Sequence, residues 1–178
     1  MLALADEGVR PVCVIAGVTA QDTDRVHAAV AIDAPMIRAQ FEALRAASVG
    51  AFHVGALVSA DAVRAVATGL DSYPNVPVVL DPVLAASSGD MLADDATRTA
   101  LRDTLFPRAT LITPNLAEAS AFLGYPIADV NAMRGAATAL RAFGPRAVLI
   151  KGGHLTGDPI DVLADANGTR EFRAPRIA

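Results

Sequence analysis

Short apolar runs alternate along the chain with stretches whose apolar residues recur every three or four positions. The runs are residues 11–16, 51–57, 76–80, 109–112 and 146–150. Each is rich in aliphatic or β-branched side chains, so they read as short strands buried on both faces. Between them, Ile37, Phe41 and Leu44 follow Asp33 as a cap, and Val63, Val66 and Leu70 follow Ser59. Leu101 and Leu105 mark a third helical stripe; Met133, Ala137, Leu140 and Phe143 mark another, stopped by Gly144-Pro145. This alternation predicts an α/β fold with a mostly parallel central sheet flanked by helices. Residues 160–164 and 169–172 flank Asn167-Gly168, whose two positions favour φ > 0, so the sheet is expected to end in an antiparallel hairpin.

The two ends read differently. Met1 to Gly8 resembles the last turns of a helix stopped by Gly8, and the segment from Ala174 to Ala178 runs out extended with no closing helix. The expectation is a single domain over residues 1–178 that forms the central portion of its fold, truncated at both ends.

Composition narrows the function classes. Hydrophobic residues make up 53% of the chain and aromatics only 4%, so the core is built from Ala, Val, Leu and Ile. A formal charge of -4 with dispersed arginines argues against a nucleic-acid surface, which needs a basic patch. No apolar run approaches the ~18 residues of a membrane span, and Met1-Leu2-Ala3 lacks the basic start of a secretory signal. A cytoplasmic protein with no membrane partner is expected. Cys13, inside an apolar run, reads as a small buried residue. His27, His53 and His154 have no metal-ligand spacing, which argues against zinc; His53 reads as a partly buried strand residue.

Three segments follow expected strands and so belong at the carboxyl edge of the sheet, where open α/β folds bind ligands. Asp81 ends one strand and Pro82 fixes its exit; the acid either caps a turn or faces a cation. Thr113-Pro114-Asn115 opens a helix, with Asn115 as cap and Glu118 as the reciprocal partner of a capping box. The same helix start offers N–H groups to an anion, and a carboxylate one turn in suits the water shell of Mg²⁺. Lys151 is the one lysine among 15 Lys and Arg residues. A compact ammonium fits beside a phosphate where arginine's planar fork is too large. Gly152-Gly153 after it permits close backbone approach to a ligand, or simply a tight turn.

Asp81-Pro82-Val83-Leu84 with a nearby Ser-Gly-Asp, then the Thr113 to Glu118 segment, then Lys151-Gly152-Gly153-His154, then Phe172-Arg173-Ala174-Pro175-Arg176 stand in an order that resembles the hydroxymethylpyrimidine/phosphomethylpyrimidine kinases of thiamine biosynthesis, within the ribokinase-like superfamily. The segment from Val18 to Thr23 resembles the family's substrate-pocket segment, and His53 to Leu57 its next pocket strand. The resemblance implies a three-layer ribokinase-like fold and an ATP- and Mg²⁺-dependent phosphotransferase acting on a small pyrimidine. A homodimer is a further implication.

It also implies roles. Asp81, Asn115 and Lys151 would bind the nucleotide, with Asp81 and Glu118 at the metal. Gln21 would read the pyrimidine ring, with Gly55 and Ala56 lining the pocket where relatives often carry methionine; Ser87 falls where many have lysine. The family's Gly-rich substrate loop is not in this chain. Its Gly-Thr-Gly-Cys anion hole, which carries the proposed catalytic group, would follow beyond Ala178. No catalytic residue is therefore assigned within the chain, and a polypeptide ending at Ala178 is expected to be a poor kinase. The rivals are a pyridoxal or pyridoxine kinase of the same superfamily, sharing the Asp-Pro-Val and Thr-Pro-Asn patterns, and a noncatalytic pyrimidine- or nucleotide-binding paralogue. Gln21 and the Lys-Gly-Gly-His form favour the pyrimidine enzyme.

Overall fold

The computed structural model describes residues 8–86, 88–153, 155 and 157–176. The helical turns expected before Gly8, together with Ser87 and His154, lie outside them. So does Ala178, so the end of the chain is described only as far as Arg176.

The chain begins with an antiparallel hairpin, β1 (Gly17–Gln21) and β2 (Val26–Ala31), and continues through α1 (Ala34–Leu44), β3 (Phe52–Val54), α2 (Ala60–Leu70) and β4 (Val78–Leu80). Then come α3 (Asp95–Ala100), which widens into a π-type turn over Leu101–Leu105, β5 (Leu111–Ile112), α4 (Leu116–Leu123), α5 (Val130–Arg141) and β6 (Ala147–Ile150). A second hairpin, β7 (Ile160–Asp165) and β8 (Gly168–Arg173), closes the order. Strands β3 to β8 form one sheet in sequence order. The β3, β4, β5 and β6 neighbours pair parallel, and β7 and β8 add antiparallel.

The helices start where their caps dictate. Asp33, Ser59, Asp94, Asn115 and Asp129 each accept, with a side-chain oxygen, the backbone N–H of the residue three positions on, a contact that stabilises a helix by about 1 kcal/mol. Their apolar stripes are buried as the spacing requires: Ile37, Val63, Leu101, Met133, Ala137 and Leu140 are all within 1% of complete burial. Each such Leu, Ile or Met contributes about 1.5–3 kcal/mol relative to exposure.

Four expectations need correction. Residues 11–16 form no strand; the ladder is replaced at Ile15, whose N–H and carbonyl are bonded by the Gln40 amide at 2.7 and 2.9 Å. The strand pairing falls one segment later, in the β1–β2 hairpin. Cys13 is accordingly exposed rather than buried. The sheet is not equally buried on its two faces: Val54, Leu80, Ile112, Val148 and Ala164 share a buried face, while Val79, Leu111, Ala147, Leu149 and Leu163 opposite are half-buried and His53 is exposed. Finally, the corner of the β7–β8 hairpin is Ala166-Asn167, because Asp165 pairs with Gly168. Only Gly168 takes positive φ (113°), and Asp165 Oδ1 accepts the Asn167 N–H.

Candidate active site

Because β4, β5 and β6 run parallel, their carboxyl ends open on one edge, and Asp81, Thr113 and Lys151 are the residues that leave them. Lys151 Nζ donates to Asp81 Oδ1 at 2.8 Å, and Thr113 Oγ1 donates to the same oxygen at 3.2 Å. The backbone of each partner is tied down. Asp81 N–H donates to the Val54 carbonyl, and Lys151 N–H to the Pro114 carbonyl at 2.9 Å, so Asn115 and Lys151 stand side by side as a parallel bridge.

Asn115 begins α4 in a reciprocal cap. Its Oδ1 accepts the Glu118 N–H at 2.9 Å, and Glu118 Oε2 accepts the Asn115 N–H at 2.8 Å. Gly124 (φ 78°) ends the helix in the left-handed region that side-chain-bearing residues avoid. Capping alone does not explain the acid. Glu118 is only 6% exposed, and burial raises its carboxyl above the ordinary range; the Asn115 amide and the Lys151 cation pull it back, while the Asp81 charge adds to the rise. A glutamine would cap equally well without that cost. A buried carboxyl facing a second carboxylate and the chain's one lysine is the arrangement expected of a working site.

The ion pair points the same way. Its side chains are 39% and 27% exposed, and a pair this open contributes at most about 1 kcal/mol to stability.

The donor set suits Mg²⁺, which takes one or two carboxylates and completes its shell with water and phosphate oxygens. Both bonds to the Asp81 carboxylate fall on Oδ1, leaving Oδ2 without a hydrogen bond to any described residue. No cluster of three or more His, Cys, Asp or Glu able to hold a metal occurs among the described residues. His27 instead pairs with Asp22 at 2.6 Å within the first hairpin.

A solvent-open hollow of about 290 Å³ is lined by Thr19, Gln21, Ala56, Val83, Ala85 and Leu92 among others. It shares the segment after β4 with the charged group, since Val83 N–H donates to the Asp81 carbonyl at 2.8 Å. Gln21 and Ala56 thus meet on one hollow. Gly55 precedes Ala56 and has open space where a Cβ would stand.

The whole chain, residues 1–178, matches the model of the phosphomethylpyrimidine kinase family. The chain belongs to this family. It is 39% identical over 178 residues to the hydroxymethylpyrimidine/phosphomethylpyrimidine kinase of Streptomyces coelicolor, covering 99% of this chain and 65% of that protein. Among solved structures, the phosphomethylpyrimidine kinase of Clostridium difficile superposes with a TM-score of 0.88 at 30% identity, over 97% of this chain and 75% of that one. An ADP complex of Bacillus subtilis pyridoxal kinase gives 0.77 at 30% identity, over 90% and 60%. The chain therefore spans about two thirds of the length of its Streptomyces relative. This phosphomethylpyrimidine kinase family member has the ribokinase-like fold, and no helix among its described residues is long and apolar enough to cross a membrane.

Two contacts at the site carry no signal of their role in the sequence. Thr113 is visible inside its motif, yet its bond to Asp81 depends on the β4–β5 register. Asp161, whose Oδ1 accepts the Gly152 N–H at 2.9 Å, comes from β7 and leaves no local signal.

Proposed function

We propose that the protein catalyses ATP-dependent phosphorylation of hydroxymethylpyrimidine, its monophosphate, or both, in thiamine biosynthesis. The observation that carries this reading is the meeting of Asp81, Asn115, Glu118 and Lys151 at the carboxyl edge of the sheet, in a chain of the phosphomethylpyrimidine kinase family. In phosphoryl transfer the protein mainly positions reactants and neutralises charge. Lys151 would lie against the triphosphate as a point charge, steadied by Asp81. The free N–H groups at the start of α4, fixed by Asn115, would face phosphate oxygens. Asp81 and Glu118 would hold Mg²⁺, which when bound neutralises charge on the phosphate oxygens. The substrate hydroxyl or monophosphate oxygen forms the new bond to the γ-phosphorus, the bond to the β–γ bridging oxygen breaks, ADP leaves with that electron pair, and a hydroxyl acceptor gives its proton to water.

The hollow supports a small ring as acceptor. Its volume of about 290 Å³ falls just below the roughly 300–1,000 Å³ of drug-sized ligand pockets, which suits a single small ring, and Gln21 supplies both a donor and an acceptor for a heterocycle edge. Gly55 and Ala56 leave the wall low. The same reading has the protein cytoplasmic and homodimeric.

The 30% identity to Bacillus subtilis pyridoxal kinase makes a pyridoxal substrate the second reading. Steady-state assays of the full-length protein with Mg²⁺-ATP and each acceptor decide between them. The expected result is a higher kcat/KM for the pyrimidine, raised in KM by Gln21→Ala; preference for pyridoxal would replace the first reading, and nucleotide binding without turnover on either would favour a binding protein.

A further inference from the structure

Several arginines hold a carboxylate: Arg64, Arg102, Arg108 and Arg170 each pair with an aspartate. Arg176 does something different. Its Nε donates to the Gly157 carbonyl at 3.0 Å, and its Nη2 reaches the carbonyls of Gly153, Leu155 and Gly157 at 3.2, 2.9 and 2.9 Å. No carboxylate lies within ion-pair distance of this guanidinium among the described residues. Its backbone is held as well, by Asp158 Oδ1 accepting the Arg176 N–H at 3.3 Å and by the Ala174 N–H on the Pro159 carbonyl.

The three carbonyls belong to one loop, the one that leaves Lys151. A charged donor bonded to several carbonyls forms stronger bonds than neutral partners do, and the rigid guanidinium fork fixes where those carbonyls point. The near end of the loop is fixed independently: the Gly152 N–H donates to Asp161, and a Cβ at Gly152 would stand 2.0 Å from the Ile160 carbonyl oxygen. Gly153, by contrast, is exposed and has nothing within 4 Å of its Cβ position, so a ligand can approach its backbone closely. The described part of the loop is therefore held through its carbonyls and open at Gly153, two residues beyond Lys151.

We infer that Arg176 is a positioning residue for the nucleotide: through the carbonyls of Gly153, Leu155 and Gly157 it fixes the backbone at Gly153 where ATP meets it beside Lys151. This rests on the assignment of Lys151 to the nucleotide. Ordering a loop before the ligand arrives removes that ordering cost from binding. Loss of the clamp should therefore fall on ATP affinity and spare the acceptor pocket, which is built from β1 and the segment after β4.

The test combines kinetics, calorimetric titration of Mg²⁺-ATP and amide hydrogen exchange on the full-length protein and its Arg176→Ala and Arg176→Lys variants. Arg176→Ala is expected to raise the KM and Kd for ATP about three- to tenfold with the KM for the pyrimidine unchanged, and to speed exchange at the Leu155 and Gly157 amides. Arg176→Lys, which keeps the charge without the fork, should fall between. Unchanged ATP affinity in a folded Arg176→Ala protein overturns the inference, whether or not exchange is faster. An equal rise in both KM values also overturns it, because a general loss of structure would produce that. Should Arg176→Ala fail to fold, the Lys variant carries the same two outcomes. A wild-type protein that binds no ATP would instead overturn the nucleotide-site assignment itself.

Discussion

Lys151 and Asp81 lie 70 residues apart in the chain and meet at 2.8 Å between Nζ and Oδ1, because β4 and β6 flank β5 in a parallel sheet that brings both strand ends to the same edge. The pair is too open to serve stability: about 1 kcal/mol is the upper range for such contacts. Its value lies in fixing a small cation at a place where Glu118 and the start of α4 converge.

Replacing Lys151 by alanine should therefore leave folding nearly intact, within ~1 kcal/mol, while lowering kcat/KM by about 10²–10³, the loss typical of one charge-stabilising donor. Lys151→Arg should restore little of it, since the planar fork does not replace a point charge at a phosphate. Urea denaturation and steady-state kinetics on the two variants check both halves; full activity in Lys151→Arg would show that the position needs only a positive charge.

Glu118→Gln separates cap from chemistry. Burial raises the Glu118 carboxyl above 4.5, so in the window between that value and the raised one the folded state binds more protons than the unfolded. Stability then falls as pH rises through the window, and the cost persists above it. Glutamine keeps the capping oxygen and removes the ionisation. The variant should melt no lower than wild type at pH 7, lose its advantage below about pH 4.5, and lose about 10–100-fold in activity, as when a partner of a metal's water shell is removed. A lower melting temperature at neutral pH would mean the carboxylate is needed for structure.

Gly152 and Gly153 are adjacent and should respond oppositely. An alanine at Gly152 places its Cβ 2.0 Å from the Ile160 carbonyl oxygen and 3.0 Å from the Met133 side chain, so the β6–β7 connection must shift, at a cost of about 1–3 kcal/mol or more. An alanine at Gly153 meets nothing and should leave stability unchanged while weakening ATP binding. Chemical denaturation and ATP titration on the two variants report this contrast, and equal destabilisation would contradict the open space at Gly153.

Local chemistry made much of the fold legible. Asp33, Ser59 and Asn115 cap helices where the sequence places them, since a cap is decided by residues within one turn, and the same short range exposed the Asn115–Glu118 pair. The residues that misled were those whose state depends on distant partners. Residues 11–16 have the aliphatic content of a strand, but a strand exists only through its neighbour, and at Ile15 the Gln40 side chain takes that neighbour's place. Asn167-Gly168 announced a hairpin correctly yet placed its corner one residue late, because Asp165 captures the Asn167 N–H and moves the positive φ to Gly168 alone. Arg176 was visible as part of a motif, while its partners are backbone carbonyls, which no side-chain pattern encodes.

The most direct test of the nucleotide-site assignment is a crystal structure of the full-length protein with Mg²⁺ and a non-hydrolysable ATP analogue. The β- and γ-phosphates are expected within hydrogen-bond reach, about 2.7–3.2 Å, of Lys151 Nζ or the first amides of α4, with the metal's water shell on Asp81 or Glu118. A triphosphate bound elsewhere, with the Lys151–Asp81 pair undisturbed and facing solvent, would contradict it.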